Sequence, residues 1–153
     1  LRVPEANRHR ISIAFAEEKR KGYDTPESHA RFSRNVARIR EDLLRILEEA
    51  SRDGRKVYGY GASTKGNTIL QWCGIDRFII DYAADRNPDK YGAHTLGTDI
   101  PIIDERESRA MKPDYYLVLP WHFKKEFLER EKETLNRGIG MIFPLPEIEV
   151  VKG

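Results

Sequence analysis

The chain has 153 residues, of which 34% are charged and 39% hydrophobic, and this composition is typical of a protein with one hydrophobic core. The formal net charge is +2, from 27 basic and 25 acidic residues, which is too small to indicate a nucleic-acid partner. The single cysteine, Cys73, excludes an internal disulfide and cannot form a zinc site alone.

Membrane and metal sites are also not expected. No apolar run approaches the roughly 20 residues of a membrane-spanning helix, and no signal peptide is recognisable. We therefore predict a cytoplasmic protein that binds neither a membrane nor a nucleic acid. His9, His29 and His94 are scattered and lack metal-ligand spacing. The chain begins with Leu1 and not with methionine, which indicates an excised fragment or a processed product.

The first third of the chain predicts two helices. Residues 5–21 have helical spacing of apolar side chains. Asp24 or Thr25 then caps a second helix, whose apolar residues recur at steps of three and four to about Ala50. Gly54 follows, where a glycine commonly ends a helix.

From Arg55 onward, apolar strands alternate with helices. The predicted strands are 56–60, 77–84, 115–119 and 139–143, with a short apolar piece at 100–103, and the predicted helices are 64–73, 104–111 and 123–136. This alternation predicts the α/β class, with a Rossmann-like, doubly wound, mostly parallel sheet preceded by two N-terminal helices. We expect residues 1–54 to pack on the sheet of residues 55–153, in one structural domain overall.

Residues 56–67 predict a strand, a glycine-rich turn and the start of a helix. Such a junction gathers backbone N–H groups at a helix N-terminus, where the helix dipole also favours an anion. A dinucleotide fingerprint would need glycine where Thr64 stands, and a hydrolytic phosphate loop would need lysine where Asn67 stands. We therefore predict a diphosphate that is held and not cleaved. A turn whose glycines serve only packing stays open as an alternative.

Two other predicted strands end in polar or aromatic side chains. The second strand is followed by Asp85, Asn87 and Lys90, and a later strand by Trp121 and His122. Ligands of open parallel sheets bind outside the carboxyl ends of the strands. Asp85 and His122 would hydrogen-bond hydroxyl groups, and Trp121 would stack on a base or a sugar. Turns and helix caps are the alternative roles for these residues.

Five motifs occur in a fixed order along the chain: GYGASTKGNT at 59–68, DRNPDK at 85–90, GTDIPI at 97–102, KPDY with LVLPW at 112–121, and FPLPE at 143–147. Together they resemble the C-terminal domain of the S-adenosylmethionine-dependent sugar C-methyltransferases. The similarity runs from about Arg55 to Val151, and the two N-terminal helices also fit the family. The chain departs from the family at Leu96, where proline is frequent, and at His122, where asparagine is common.

The resemblance implies an enzyme of three parts. A cysteine-rich N-terminal region would bind zinc and a middle domain would bind S-adenosylmethionine, so neither cofactor is expected in this chain. In that family a base removes the proton beside the ketone of a sugar linked to thymidine diphosphate, and the enolate then takes the methyl group. Those catalytic residues lie mainly in the middle domain. This chain would pack against that domain, hold the nucleotide-sugar substrate and be inactive alone.

The predicted substrate-binding residues come from the glycine turn and the two strand ends. They are Gly59, Tyr60, Gly61, Ala62, Ser63, Thr64, Lys65, Gly66, Asn67, Asp85, Asn87, Lys90, Trp121 and His122. Gly61, Ser63 and Lys65 would contact phosphate oxygens, and no catalytic residue or metal ligand is predicted. Two other functions stay open: an NAD(P)-binding oxidoreductase domain with Asp85 on the ribose, and a noncatalytic interaction module.

Overall fold

The computed structural model describes residues 4–153. The chain divides between Arg38 and Ile39 into two compact units. The predicted division between residues 54 and 55 stays a prediction. Within the described residues, no helix combines the length and the apolar character that a membrane span requires.

The first unit contains helix α1 (Glu5–Arg20) and the beginning of helix α2 (Pro26–Arg52). Thr25 starts α2, because its hydroxyl oxygen accepts a hydrogen bond from the Ser28 N–H at 3.2 Å. This bond satisfies one of the N–H groups that the first turn of a helix leaves unpaired. The predicted positions of both helices and the Thr25 cap are confirmed.

The second unit is built on a sheet of six strands in the order β3-β2-β1-β4-β5-β6. The strands are β1 (Val57–Tyr60), β2 (Ala83–Asp85), β3 (Ile102–Asp104), β4 (Tyr115–Val118), β5 (Gly140–Phe143) and β6 (Glu149–Val151). The first five are parallel, and β6 runs antiparallel to β5. The remaining helices are α3 (Thr64–Cys73), α4 (Glu105–Ala110), α5 (Lys124–Arg130) and α6 (Lys132–Asn136). The predicted Rossmann-like α/β fold is confirmed.

Two predicted elements differ from the structure. The second strand was predicted at 77–84 but is confined to β2, because Asp76 starts a turn. Its carboxylate accepts from the Phe78 N–H at 2.9 Å, and its carbonyl accepts from the N–H groups of Ile79 and Ile80. Aspartate commonly competes with a sheet in this way.

The helix predicted at 123–136 is also interrupted. It begins only at Lys124 and breaks at Glu131 into α5 and α6. Strand β6, which follows the proline-containing stretch 144–146, was not predicted at all. Its three residues have no apolar alternation that would reveal a strand.

Buried side chains cover both faces of the sheet, as expected for parallel strands. One face packs Leu117 of β4 against Leu70 and Cys73 of α3, and it also receives Leu43 and Leu47 of α2. The thiol of Cys73 is buried, and burial raises its pKa.

The opposite face is rich in tyrosine. It carries Tyr58, Tyr60 and Tyr116, with Phe127 of α5 packed against them. The helix after β1 therefore lies on one face and the helix after the neighbouring strand β4 on the other. This arrangement is the topological switch point at which open α/β sheets bind ligands.

Candidate functional site

The turn after β1 is pressed against the residue that follows β4. Gly61 has φ +79°, a conformation that favours glycine, and a Cβ atom there would lie 2.6 Å from Cγ of Pro120. Position 61 therefore requires glycine both for its backbone conformation and for space. This contact sets the narrow distance between the two strand ends.

Helix α3 begins one turn further on and packs equally closely. Ser63 caps it, because the hydroxyl oxygen accepts from the Gly66 N–H at 3.0 Å. A Cβ atom on Gly66 would lie 2.5 Å from Cβ of Leu119. The close helix-to-strand packing that a dinucleotide fingerprint assigns to its third glycine is thus provided by Gly66, two positions after Thr64.

The N-terminus of α3 leaves backbone donors unused. Within residues 4–153 no acceptor is found for the backbone N–H groups of residues 62–65. The Gly61 N–H, in contrast, donates to the Ala84 carbonyl at 2.7 Å. Four consecutive free N–H groups at a helix N-terminus form a site that suits an anion.

Lys90 ties this turn to the end of β2. Its Nζ donates to Oδ2 of Asp85 at 2.9 Å and to the carbonyl of Ala62 at 2.8 Å. The other carboxylate oxygen of Asp85 accepts from the Asn87 N–H at 2.8 Å. Asp85 is only 7% exposed, so its carboxylate serves mainly to organise the loops around it.

A cavity of about 490 Å³ opens at this switch point. It is lined by Gly61, Ser63, Asp85, Arg86, Glu105, Pro120, Phe123, Glu126, Phe127 and Arg130. Pro120 and the two phenylalanines supply an apolar wall, and charged side chains line the rest of the cavity. A cavity with one apolar wall and a few convergent polar groups is typical of a small-molecule site.

Three of the predicted site residues, Gly61, Ser63 and Asp85, line the cavity directly. Lys90 lies next to it through its bonds to Asp85 and Ala62. Asn87 caps a short 3-10 helix, since its side-chain oxygen accepts from the Asp89 N–H at 3.1 Å.

The other predicted residues of the glycine turn have different surroundings. Gly59 and Ala62 are buried, whereas the side chains of Thr64 and Lys65 are exposed at the start of α3. The side-chain oxygen of Asn67 is buried and has no hydrogen-bond partner among the described residues.

Trp121 and His122 lie in a 3-10 turn beside the cavity but do not line it. Their ring centroids are 5.5 Å apart, and the imidazole also lies 4.3 Å from the ring of Phe123. Phe123, which follows them, lines the cavity, and the predicted stacking of Trp121 on a base or a sugar stays a prediction.

The side chain of Tyr60 points into a partly buried group of charges that we call the Tyr60 cluster: Tyr60, Glu105, Arg109, Arg130 and Glu131. The Tyr60 hydroxyl donates to Oε1 of Glu131 at 2.6 Å. It accepts from Nη2 of Arg109 at 2.6 Å and from Nη2 of Arg130 at 3.0 Å. Both arginines also pair with Glu105 and Glu131.

The cluster shifts the protonation equilibria of its members. Burial opposes ionisation of Glu131, but hydrogen bonds from Tyr60, Thr134 and Arg109 outweigh burial and hold the pKa of this carboxyl below its usual range. Burial, together with the bond to Glu131, raises the pKa of Tyr60 well above that of a free tyrosine. The tyrosine therefore stays neutral and the glutamate stays ionised at neutral pH.

The sequence did not predict the Tyr60 cluster or most of the charged residues that line the cavity. Glu105 and Arg109 show the i, i+4 spacing of a helical ion pair, and Arg86 lies within a quoted motif. Arg130 and Glu131 carry no comparable signal. Arg130 is the last residue of α5, and Glu131 lies at the break between α5 and α6 that the sequence pattern does not show.

We predict that replacing Lys90 by methionine loosens the glycine turn. The substitution leaves Asp85 with one partner and frees the Ala62 carbonyl, at an expected cost of about 1–2 kcal/mol of unfolding free energy. Urea unfolding measures this cost, and amide exchange should quicken at Gly61 and Asn67, whose N–H groups are hydrogen-bonded on either side of the turn. Lys125→Met, at an exposed position of α5, should change neither quantity, and equal behaviour of the two variants would contradict the bridging role of Lys90.

Comparison with known proteins identifies the family. Residues 2–146 match the family described as C-methyltransferase C-terminal domain. The chain belongs to this family. This C-methyltransferase domain is also 33% identical over 153 residues to the C-methyltransferase NovU of Streptomyces niveus, an alignment that covers 97% of this chain and 36% of that protein. The domain therefore spans about a third of the length of that relative, and the resemblance predicted from its motifs is confirmed.

The C-methyltransferase domain does not itself fit the zinc site that its resemblance implies for the longer protein. Zinc is held by groups of thiolates and imidazoles. The one thiol, that of Cys73, is buried, and its raised pKa opposes the thiolate form. Within residues 4–153 no three potential ligands converge on one point.

Proposed function

We propose that this domain is the substrate-holding part of a cytoplasmic C-methyltransferase that acts on a deoxy-ketosugar linked to thymidine diphosphate. The observation that carries the proposal is the cavity at the switch point, which adjoins four free backbone N–H groups. Membership of the C-methyltransferase family supports the reaction class.

In this proposal the diphosphate lies against the N–H groups of residues 62–65. The exposed Lys65 supplies a cation at the same helix end, where the helix dipole adds to the attraction. The rest of the substrate enters the cavity and covers the apolar wall of Pro120, Phe123 and Phe127. The site is built to hold its ligand, because no lysine stands where a hydrolytic phosphate loop needs one.

The chemistry itself is proposed for other parts of a longer protein. S-adenosylmethionine would supply the methyl group from a middle domain, and that domain would remove the proton beside the sugar ketone. Zinc would bind in an N-terminal region. The present domain would pack against the middle domain, complete the substrate site and have no activity alone.

The state of Asp85 counts against an NAD(P)-binding domain. An acid at the end of β2 would bind the adenosine ribose of a dinucleotide. Here Lys90 and the Asn87 N–H already occupy the two carboxylate oxygens of Asp85.

Titration of the domain with thymidine diphosphate and with NAD tests the proposal. We expect thymidine diphosphate, at millimolar concentration, to shift the amide resonances of residues 59–67 while NAD leaves them nearly unchanged. Lys65→Met should weaken the binding several-fold, and Lys132→Met on α6 should not. Preferential binding of NAD would contradict the proposal, and the absence of any shift with either ligand would favour a noncatalytic interaction module.

A further inference from the structure

Arg130 has hydrogen-bond donors that the protein does not use. A guanidinium carries five N–H groups. Nε of Arg130 donates to Glu131 at 2.9 Å, and Nη2 donates to Tyr60 and to Glu105, each at 3.0 Å. Among residues 4–153 no acceptor is found for Nη1. Two donors thus remain on a side chain that lines the cavity.

The guanidinium of Arg130 is also held in place from several sides. It lies over the ring of Phe127 at 4.9 Å and over the ring of Tyr60 at 5.5 Å. Glu131, one of its anionic partners, is only 3% exposed. The rotamer of this arginine is therefore already fixed. A ligand that accepts from Nη1 loses little side-chain conformational entropy on binding.

The charge of the surroundings decides which ligand group suits Nη1. In the Tyr60 cluster the positive charges of Arg109 and Arg130 are balanced by Glu105 and Glu131. An anion near Nη1 would meet these carboxylates as well as the arginine, so its net attraction would be small. An uncharged oxygen, in contrast, can accept the hydrogen bonds from Nη1 although the surrounding cluster has no net positive charge.

The apolar wall of the same cavity complements this donor. Pro120, Phe123 and Phe127 can cover one face of a flat or chair-shaped ring. Arg130 lines the same cavity from the charged side, where it can bind an oxygen at the edge of that ring. Ser63, at the start of α3, lines the same cavity, and the free N–H groups of residues 62–65 remain available to an anion.

We propose that Arg130 is a substrate-contacting residue that donates from Nη1 to an uncharged carbonyl or hydroxyl oxygen of the sugar or of the pyrimidine base. Tyr60, Glu105 and Glu131 are its positioning residues. The inference rests on the proposed function, and it divides the site into an anion subsite at residues 62–65 and an uncharged-oxygen subsite at Arg130.

The test compares Arg130→Met and Arg130→Lys with the unchanged chain, using thymidine diphosphate glucose, thymidine and inorganic pyrophosphate as probes in calorimetric or NMR titrations. Neither variant has an Nη1 group to donate to the ligand. Affinity for thymidine diphosphate glucose should therefore fall about tenfold in both variants. Affinity for pyrophosphate should stay within about twofold. A parallel loss for thymidine places the oxygen on the base, and a loss confined to thymidine diphosphate glucose places it on the sugar.

Arg137→Met is the matched control, because Arg137 is an exposed arginine that follows α6 and does not line this cavity. It should leave all three affinities unchanged. Because Arg130 also stabilises the Tyr60 cluster, its variants could lose affinity through a change in structure. The side-chain N–H resonances of Arg130 in the unchanged chain therefore provide a second measurement. They should shift with thymidine diphosphate glucose and not with pyrophosphate.

Two results would overturn the inference while leaving the proposed function standing. One is an equal loss of pyrophosphate affinity in the Arg130 variants, which would make Arg130 a phosphate ligand. The other is unaltered binding of thymidine diphosphate glucose in variants that remain folded. If the unchanged chain binds neither thymidine diphosphate nor its glucose conjugate, the proposed function fails first and the inference fails with it.

Discussion

Glu131→Gln is expected to lower the free energy of unfolding by about 2–4 kcal/mol, because it removes the buried partner of Arg109 and Arg130, which are themselves partly exposed and keep Glu105. Glu131 is 3% exposed and accepts from Tyr60, Thr134 and both cluster arginines. Its amide replacement has the same shape but no charge, and one of its two polar ends cannot accept. Urea unfolding with an unchanged m-value measures the loss.

Glu133→Gln is the matched control for this prediction. Glu133 lies two residues away, its side chain is 89% exposed, and its closest cation, Arg137, is 3.6 Å distant. An exposed pair of this kind contributes little, so the change should stay within about 0.5 kcal/mol. Similar losses in the two variants would show that Glu131 has no special part in the stability of the fold.

Acid should remove the difference between Glu131→Gln and the unchanged chain. The pKa of Glu131 is lower in the folded state, so its contribution is present in full above the pKa of an unfolded glutamate, about 4.3. That contribution is lost as the pH falls through the folded value. The two unfolding free energies are therefore expected to differ at pH 7, to begin to converge below about pH 4.3 and to become equal only below the folded-state pKa of Glu131.

Gly61→Ala is expected to cost about 2–4 kcal/mol, through two effects that act at the same residue. The positive φ of +79° strains any side chain, and the added Cβ would lie 2.6 Å from Pro120. Relief requires the turn after β1 and the end of β4 to separate. The cavity would change shape as a result, so binding of thymidine diphosphate should weaken together with stability.

Gly74→Ala separates the two effects. Gly74 ends α3 with φ +71°, but nothing lies within 4 Å of an added Cβ atom. The free energy of unfolding of this variant should therefore fall by only about 1 kcal/mol, from the backbone conformation alone. Its ligand binding should be unchanged. Equal stability losses in Gly61→Ala and Gly74→Ala would mean that Pro120 moves aside without loss of stability. The contact between Gly61 and Pro120 would then not determine the shape of the cavity.

The fold could be predicted from sequence wherever local patterns and packing agree. The helix at 64–73 was predicted to the residue, because Ser63 caps it and Gly74 ends it. The second strand was predicted too long because Asp76 starts a turn within an apolar stretch. The antiparallel β6 depends on pairing with β5, which its own three residues do not encode.

The site could be predicted only in part, for a physical reason. Gly61, Ser63 and Asp85 follow directly from strand ends, so sequence order alone brings them to one edge of the sheet. Arg130 and Glu131 reach Tyr60 across some 70 positions, and apolar spacing gives no sign of the helix break at Glu131. Charge pairs of this kind are determined by tertiary packing and produce no periodic pattern in the sequence.

The two edges of the sheet have a consequence for handling the domain. Both edge strands, β3 and β6, are only three residues long. The outer side of β3 is already bonded to the segment at Gly92 and Ala93, and Glu149 of β6 pairs with Lys124. Short, covered or charged edges discourage the strand-to-strand association that leads to aggregation. The second unit is therefore expected to remain monodisperse at the high concentrations that weak-ligand titrations demand.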